Sequence, residues 1–239
     1  MKTQTNQSKL IIDMFIQQGK WALWLLSAVV VLYIGMIFVT SQYGDTLANF
    51  LTFSFEPAKL FMLVIAIFLS YSFLDTYIKL GITRNQFFTA TGVTAVLLAA
   101  GLTAAAGILT GIQHAVMNVM ELSSIMEAGT IIGLDVSMTA AIPICFFNLI
   151  MYHLIGWLIG AGFHRYGWLP GLGFIALGIL LTAVSDMLWG FETIEGLSML
   201  LSLESGAVAG GLSITAAALL LPLVFLIIWQ ITKKTAVRL

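Results

Sequence analysis

Six blocks of this chain are apolar over the width of a bilayer, and the polar stretches between them alternate in the sign of their charge. A helix rises about 1.5 Å per residue and the hydrocarbon core is about 30 Å thick, so one crossing takes about 20 apolar residues. The blocks lie near 21–39, 59–78, 87–111, 141–163, 171–188 and 212–230. Nine of the ten cations fall on one side of that partition: Lys2, Lys9, Lys20, Lys79, Arg84, Arg165, Lys233, Lys234 and Arg238. The connections 40–58, 112–140 and 187–211 carry no Lys or Arg and hold Asp45, Glu56, Glu121, Glu127, Asp135, Glu192, Glu195 and Glu204. Cations are enriched in cytoplasmic loops, so both termini are expected on the cytoplasmic face of the cell membrane. Lys59, at the outer start of the second block, is the exception, placed where its ammonium can snorkel to an interface.

The expected fold is an all-α integral membrane protein with six transmembrane helices over 21–239. With 60% hydrophobic and 9% charged residues, the chain has more apolar surface than a water-soluble domain can bury. Residues 1–20 are expected to contribute an amphipathic helix over 5–20. Lys9, Asp13, Gln17 and Lys20 form one polar stripe, and Leu10, Ile11, Met14 and Phe15 cover the rest. Such a helix suits the headgroup plane. The 189–211 segment is too apolar for a solvated loop and too broken for a span, so it is expected to dip in from outside as a partly re-entrant segment. The 113–130 stretch reads as a short helix on the outer surface.

In the third block Thr91, Ala95, Ala99, Thr103, Gly107 and Gly111 recur every four residues, and Gly156 and Gly160 repeat that spacing in the fourth. Small residues let helices approach closely in lipid, where contact drives association. Pro57 and Pro143 stand near the starts of the second and fourth blocks, and Pro222 is expected to kink the sixth. The single cysteine, Cys145, reads as a packing residue.

Catalytic patterns are not found. His114, His153 and His164 lack metal-ligand spacing, there is no G-x-S-x-G elbow, and no G-x-x-x-x-G-K-[ST] loop for nucleotide. The chain is therefore read as no enzyme, without a cofactor, a metal or a nucleic-acid partner of its own. Asp75 and Asp186 lie near span ends, which speaks against an ion-coupled carrier, since such carriers keep a carboxylate in the core. Asp186 and His153 are the candidates for that role if it exists.

The strongest local feature is the inner connection between the second and third blocks. Gly81 can end one helix, Thr83 can cap the next, and Asp75, Lys79 and Arg84 supply charge. Its run LGITRNQFF resembles the lG-x-s/t-R-x-x-F segment at the same place in type-2 ABC exporter permeases. The order of elements is similar too: six spans, both tails inside, an N-terminal in-plane helix and a re-entrant outer segment before the last span. The resemblance implies a permease subunit that moves an amphipathic peptide, drug or lipid-like substrate. ATP and Mg would be held by a separate ABC ATPase, in two copies, and a second permease subunit, identical or similar, would pair with this one in membrane lipid. It further implies that residues 75–86 dock on the ATPase through Lys79 and Arg84, with His164 and Arg165 as a shorter second contact. The alternative reading is a non-transporting immunity or sensor protein.

Overall fold

The apolar blocks fold into helices that run past their sequence boundaries. The computed structural model describes residues 2–43, 46–120, 136–189, 191 and 210–233, with the backbone alone for 2–6, 72, 74, 75 and 210–218. Among the described residues seven α-helices follow in order: α1 (Lys2–Tyr43), α2 (Phe50–Phe68), α3 (Leu74–Lys79), α4 (Arg84–Val119), α5 (Met138–Tyr166), α6 (Trp168–Trp189) and α7 (Gly210–Lys233). A π-helical turn, Leu69–Phe73, joins α2 to α3. Among the described residues five helical stretches are long and apolar enough to cross a membrane, and α7 adds a shorter apolar stretch, Leu219–Lys233. Among the described residues there is no strand. Asp45, Glu121, Glu127, Asp135, Glu192, Glu195, Glu204, Lys234, Arg238, most of the expected re-entrant segment and the 121–130 part of the outer helix lie outside the described residues.

Residues 5–20 are not a separate helix. They are the first turns of α1, which at about 1.5 Å per residue is about 63 Å long, twice the hydrocarbon thickness. Their polar stripe is exposed as expected, while Leu10, Met14, Gln18 and Ala22 recur every four residues and are buried. Leu10 and Met14 pack on Leu69, Phe87 and Ala90, so this end of α1 is held against neighbouring helices as well as facing outward. That packing gives the segment a protein partner on one face.

The second span begins nine residues before the apolar block. Asn49 caps α2, its side-chain oxygen accepting from the Thr52 N–H at 2.9 Å, and the Phe50 N–H donates to Gln113 Oε1 of α4 at 2.7 Å. Tyr33 of α1 donates its hydroxyl to the Ala48 carbonyl at 2.7 Å. These bonds satisfy backbone groups that a helix start leaves open, and they carry α2 outward so that Pro57 lies in its interior. Likewise α4 continues through 113–119, where a separate surface helix was expected.

The bundle is built around α5, whose residues 151–162 are all buried. It packs most extensively against α2 and α6. Gly156 and Gly160 explain the α2 contact: a Cβ at Gly156 would collide with the Leu63 carbonyl, and one at Gly160 with Ser70 and the Ile67 carbonyl. Only hydrogen at these positions lets the two backbones meet. Ser70 also bonds the Ala66 and Ile67 carbonyls with its hydroxyl. Side-chain competition of this kind for helical carbonyls accompanies the π-turn at that point.

The four-residue repeat of α4 is not one face. Each step of four residues turns about 40° beyond a full circle, so five steps rotate the row by about 200°. Thr91, Ala95, Ala99 and Thr103 are buried, Gly107 is half-buried and Gly111 is exposed. Burial passes instead to Ala106, Thr110, Gln113 and Met117, which follow the true helical period.

Candidate functional site

Two polar constellations stand out, one at each end of the bundle. At the basic end the connection between α3 and α4 is fixed from both sides. Gly81 adopts φ +84°, the left-handed region that favours glycine. The Gly81 N–H donates to the Ile78 carbonyl at 2.9 Å and the Ile82 N–H to the Tyr77 carbonyl at 3.1 Å. These two bonds are those of a Schellman stop, and Tyr77 and Ile82 supply its apolar contact in one cluster. Thr83 then starts α4 with a capping box: its hydroxyl accepts from the Gln86 N–H at 3.3 Å, and its own N–H donates to Gln86 Oε1 at 3.0 Å. Ile82 and Phe87, flanking the cap, pack in that same cluster. The connection has no free length in which to absorb a displacement.

The cations at this end meet α7. Arg84 Nη1 donates to the Lys233 carbonyl at 3.3 Å. Arg165 Nη1 donates to the Ile231 carbonyl at 3.1 Å and the Gln230 carbonyl at 3.4 Å. Both arginines thus close the carbonyl end of α7, where the helix dipole favours positive charge. His164 and Arg165 lie in the last turn of α5. The connection to α6 that was drawn as 164–170 shrinks to Gly167, at φ +85°. Lys79 is exposed and ends α3; Asp75 lies within α3, its side chain outside the described residues. The structure therefore brings Arg84 and Arg165 together on one helix end, while Ala95, Ala99 and Thr103 lie deep in the packed part of α4 and take no part in either constellation.

The second constellation centres on Lys59, which does not snorkel. It is 3% exposed, inside α2. Its ammonium lies 2.5 Å from Glu56 Oε1, one turn earlier, and 3.8 Å from Asp186 Oδ1 of α6. The rings of Phe55, Tyr152 and Phe191 stand 4.8, 5.2 and 5.4 Å from it. Asp186 accepts the Tyr152 hydroxyl at 2.6 Å and the Asn148 amide at 3.4 Å. Counted along α2–α3 and α6, the pair lies about 27–30 Å from the basic end, at about 1.5 Å per residue. A charge buried in the protein is costly unless paired, and here the partners are two carboxylates and three π faces.

Sequence reasoning placed Asp186 near a span end, and it lies in the last turn of α6; its burial beside Lys59 was not read. The signal that locates the pair is local. Asn49 is a helix cap, and Glu56 stands three residues before Lys59, the spacing of an intrahelical ion pair. His153, on α5, is fully buried, and among the described residues neither ring nitrogen has a hydrogen-bond partner. Cys145 is buried in the cluster that joins α1, α2 and α5. No family model, no curated protein and no solved structure matches this chain.

Proposed function

We propose that this chain is the membrane-spanning permease subunit of an exporter driven by a separate ABC ATPase. In this reading α7 is the sixth span, both termini face the cytoplasm, and the basic end is the face on which the ATPase docks. One observation carries it: the stop at Gly81, the capping box at Thr83 and the Arg84 bond to α7 make the α3–α4 connection a stiff lever. Force applied at Lys79 and Arg84 passes into α4 and α7 rather than into loop motion. Arg165 ties α5 to the same helix end, so one push reaches three helices. The substrate class is amphipathic, taken from the bilayer or the cytoplasm, and a second permease subunit completes the pathway.

Co-purification with a tagged candidate ATPase tests the partner. Arg84→Glu should leave insertion intact and reduce substrate-stimulated ATPase activity by about tenfold, in line with a charge-assisted contact of about 1.5 kcal/mol. Full stimulation in that variant removes the lever role.

A second reading, an ion-coupled carrier, is favoured by one specific feature, the buried Lys59–Asp186 pair between α2 and α6. Intramembrane ionisable residues mark ion and substrate pathways by default. Uptake or efflux by proteoliposomes under an ion gradient, with no ATPase present, decides for this reading; strict dependence on ATP decides against it.

A further inference from the structure

Near the basic end a groove with about 700 Å³ of free space lies along α4 and α7, within the range of small-molecule sites, roughly 300–1,000 Å³. Phe88, Gly92, Phe225 and Trp229 form its apolar walls, and Asn85 and Thr89 are its polar end. The two polar residues occupy the first turns of α4, so polarity increases toward the basic end of the bundle. Gly92 lets the Phe225 ring of α7 approach the α4 backbone: a Cβ there would stand 3.3 Å from the ring.

Two cations flank the polar end of the groove in sequence. Arg84, the residue before Asn85, spans the two helix tips through its bond to the Lys233 carbonyl, and Lys233, which ends α7, has an exposed side chain. Among the residues whose side chains are described, neither cation has a carboxylate within 4.0 Å, in contrast to Lys59, whose ammonium has two. An apolar channel with two cations near its polar end has the form of an amphiphile with a negative head. Basic pockets between membrane helices on the cytoplasmic side take anionic lipid heads for this reason.

We infer that the α4–α7 groove binds an anionic phospholipid, with an acyl chain against Phe88, Phe225 and Trp229 and the phosphate at Arg84 and Lys233. The inference uses only the membrane placement of the helices and is independent of the ATPase reading. A lipid held there wedges α4 against α7, the two helices that Arg84 also links.

Trp229 is a built-in reporter, since a brominated chain in the groove quenches its fluorescence. The full-length protein is reconstituted in phosphatidylcholine vesicles doped with chain-brominated phosphatidylglycerol or chain-brominated phosphatidylcholine. Quenching by the phosphatidylglycerol is expected at several-fold lower mole fraction, and the excess should vanish in Trp229→Phe. Lys233→Gln should reduce the preference roughly fivefold, the weight of one cation near an anionic headgroup. Gly92→Leu, which fills the groove, should abolish it. Equal quenching by the two lipids overturns the inference. So does a phosphatidylglycerol excess that survives Trp229→Phe, which places the lipid elsewhere. Absence of Trp229-dependent quenching by either lipid also overturns it and assigns the groove to a second copy of the chain or another protein. Lys233→Gln alters only an exposed side chain, so the test stands even if Gly92→Leu fails to fold.

Discussion

Removing the Lys59 ammonium leaves Glu56 and Asp186 without their shared cation. Glu56 is largely exposed and can be hydrated, but Asp186 is only 13% exposed and keeps just the Tyr152 hydroxyl and the Asn148 amide. Breaking a buried pair by removing one partner costs about 3–5 kcal/mol. Lys59→Met is therefore expected to lower stability by about that amount in denaturant titration of the detergent-solubilised protein. Asp186→Asn should cost less, because Lys59 keeps Glu56 at 2.5 Å, and the double variant should recover part of the loss in a double-mutant cycle. Equal costs for the two single changes, adding without coupling, would show that the pair does not interact. The misplacement of Lys59 in the sequence has a physical source. An averaged apolar window ends where the first charge enters, but a helix ends where its backbone N–H groups find caps. Asn49 and Gln113 cap the Thr52 and Phe50 N–H groups, seven and nine residues before the window begins, and one of the two caps comes from another helix. No reading confined to neighbouring residues contains that second partner.

Along α4 the helical period decides which small residues matter. Ala99 is fully buried against α2 and α5, whereas Gly111 faces outward. Ala99→Leu adds volume to a filled site and should cost about 1–3 kcal/mol. Gly111→Leu should cost nothing and gain helix propensity, on the order of 0.8 kcal/mol. Thermal unfolding of the two variants checks the contrast, and equal destabilisation would restore the single four-residue face. At the start of the same helix, Thr83→Ala removes half of a capping box and should cost about 1 kcal/mol, with Arg84 as the first residue to fray. The elbow was legible because its stop and start are both local: glycine at 81, threonine at 83 and glutamine at 86 suffice to write them. The glycine pair of α5 was legible as a close approach. Its partner was not, since nothing in Gly156 or Gly160 names Leu63 and Ser70 of α2.

At the scale of the whole molecule the charges sort by end. Arg84, Arg165 and Lys233 gather where α4, α5 and α7 come together, and Glu56 and Asp186 lie about 35 and 27 Å away along the helices. The span pattern carried this sorting in advance because alternating charge needs only sequence order and the rule that cations stay inside. The arrangement of helices around α5 was not available that way, since every span is apolar enough to be central and contact alone selects one. Orientation is the remaining consequence, and single-cysteine labelling tests it. The native Cys145 is buried and should stay silent toward a membrane-impermeant maleimide. Tyr43, at the far end of α1, is 79% exposed, and Tyr166, at the basic end of α5, is 45% exposed. A cysteine at Tyr43 should react in intact cells, and one at Tyr166 only after permeabilisation. The reverse pattern would put the basic end outside, remove the cytoplasmic face on which an ATPase could dock, and leave the Lys59–Asp186 pair facing the cytoplasm.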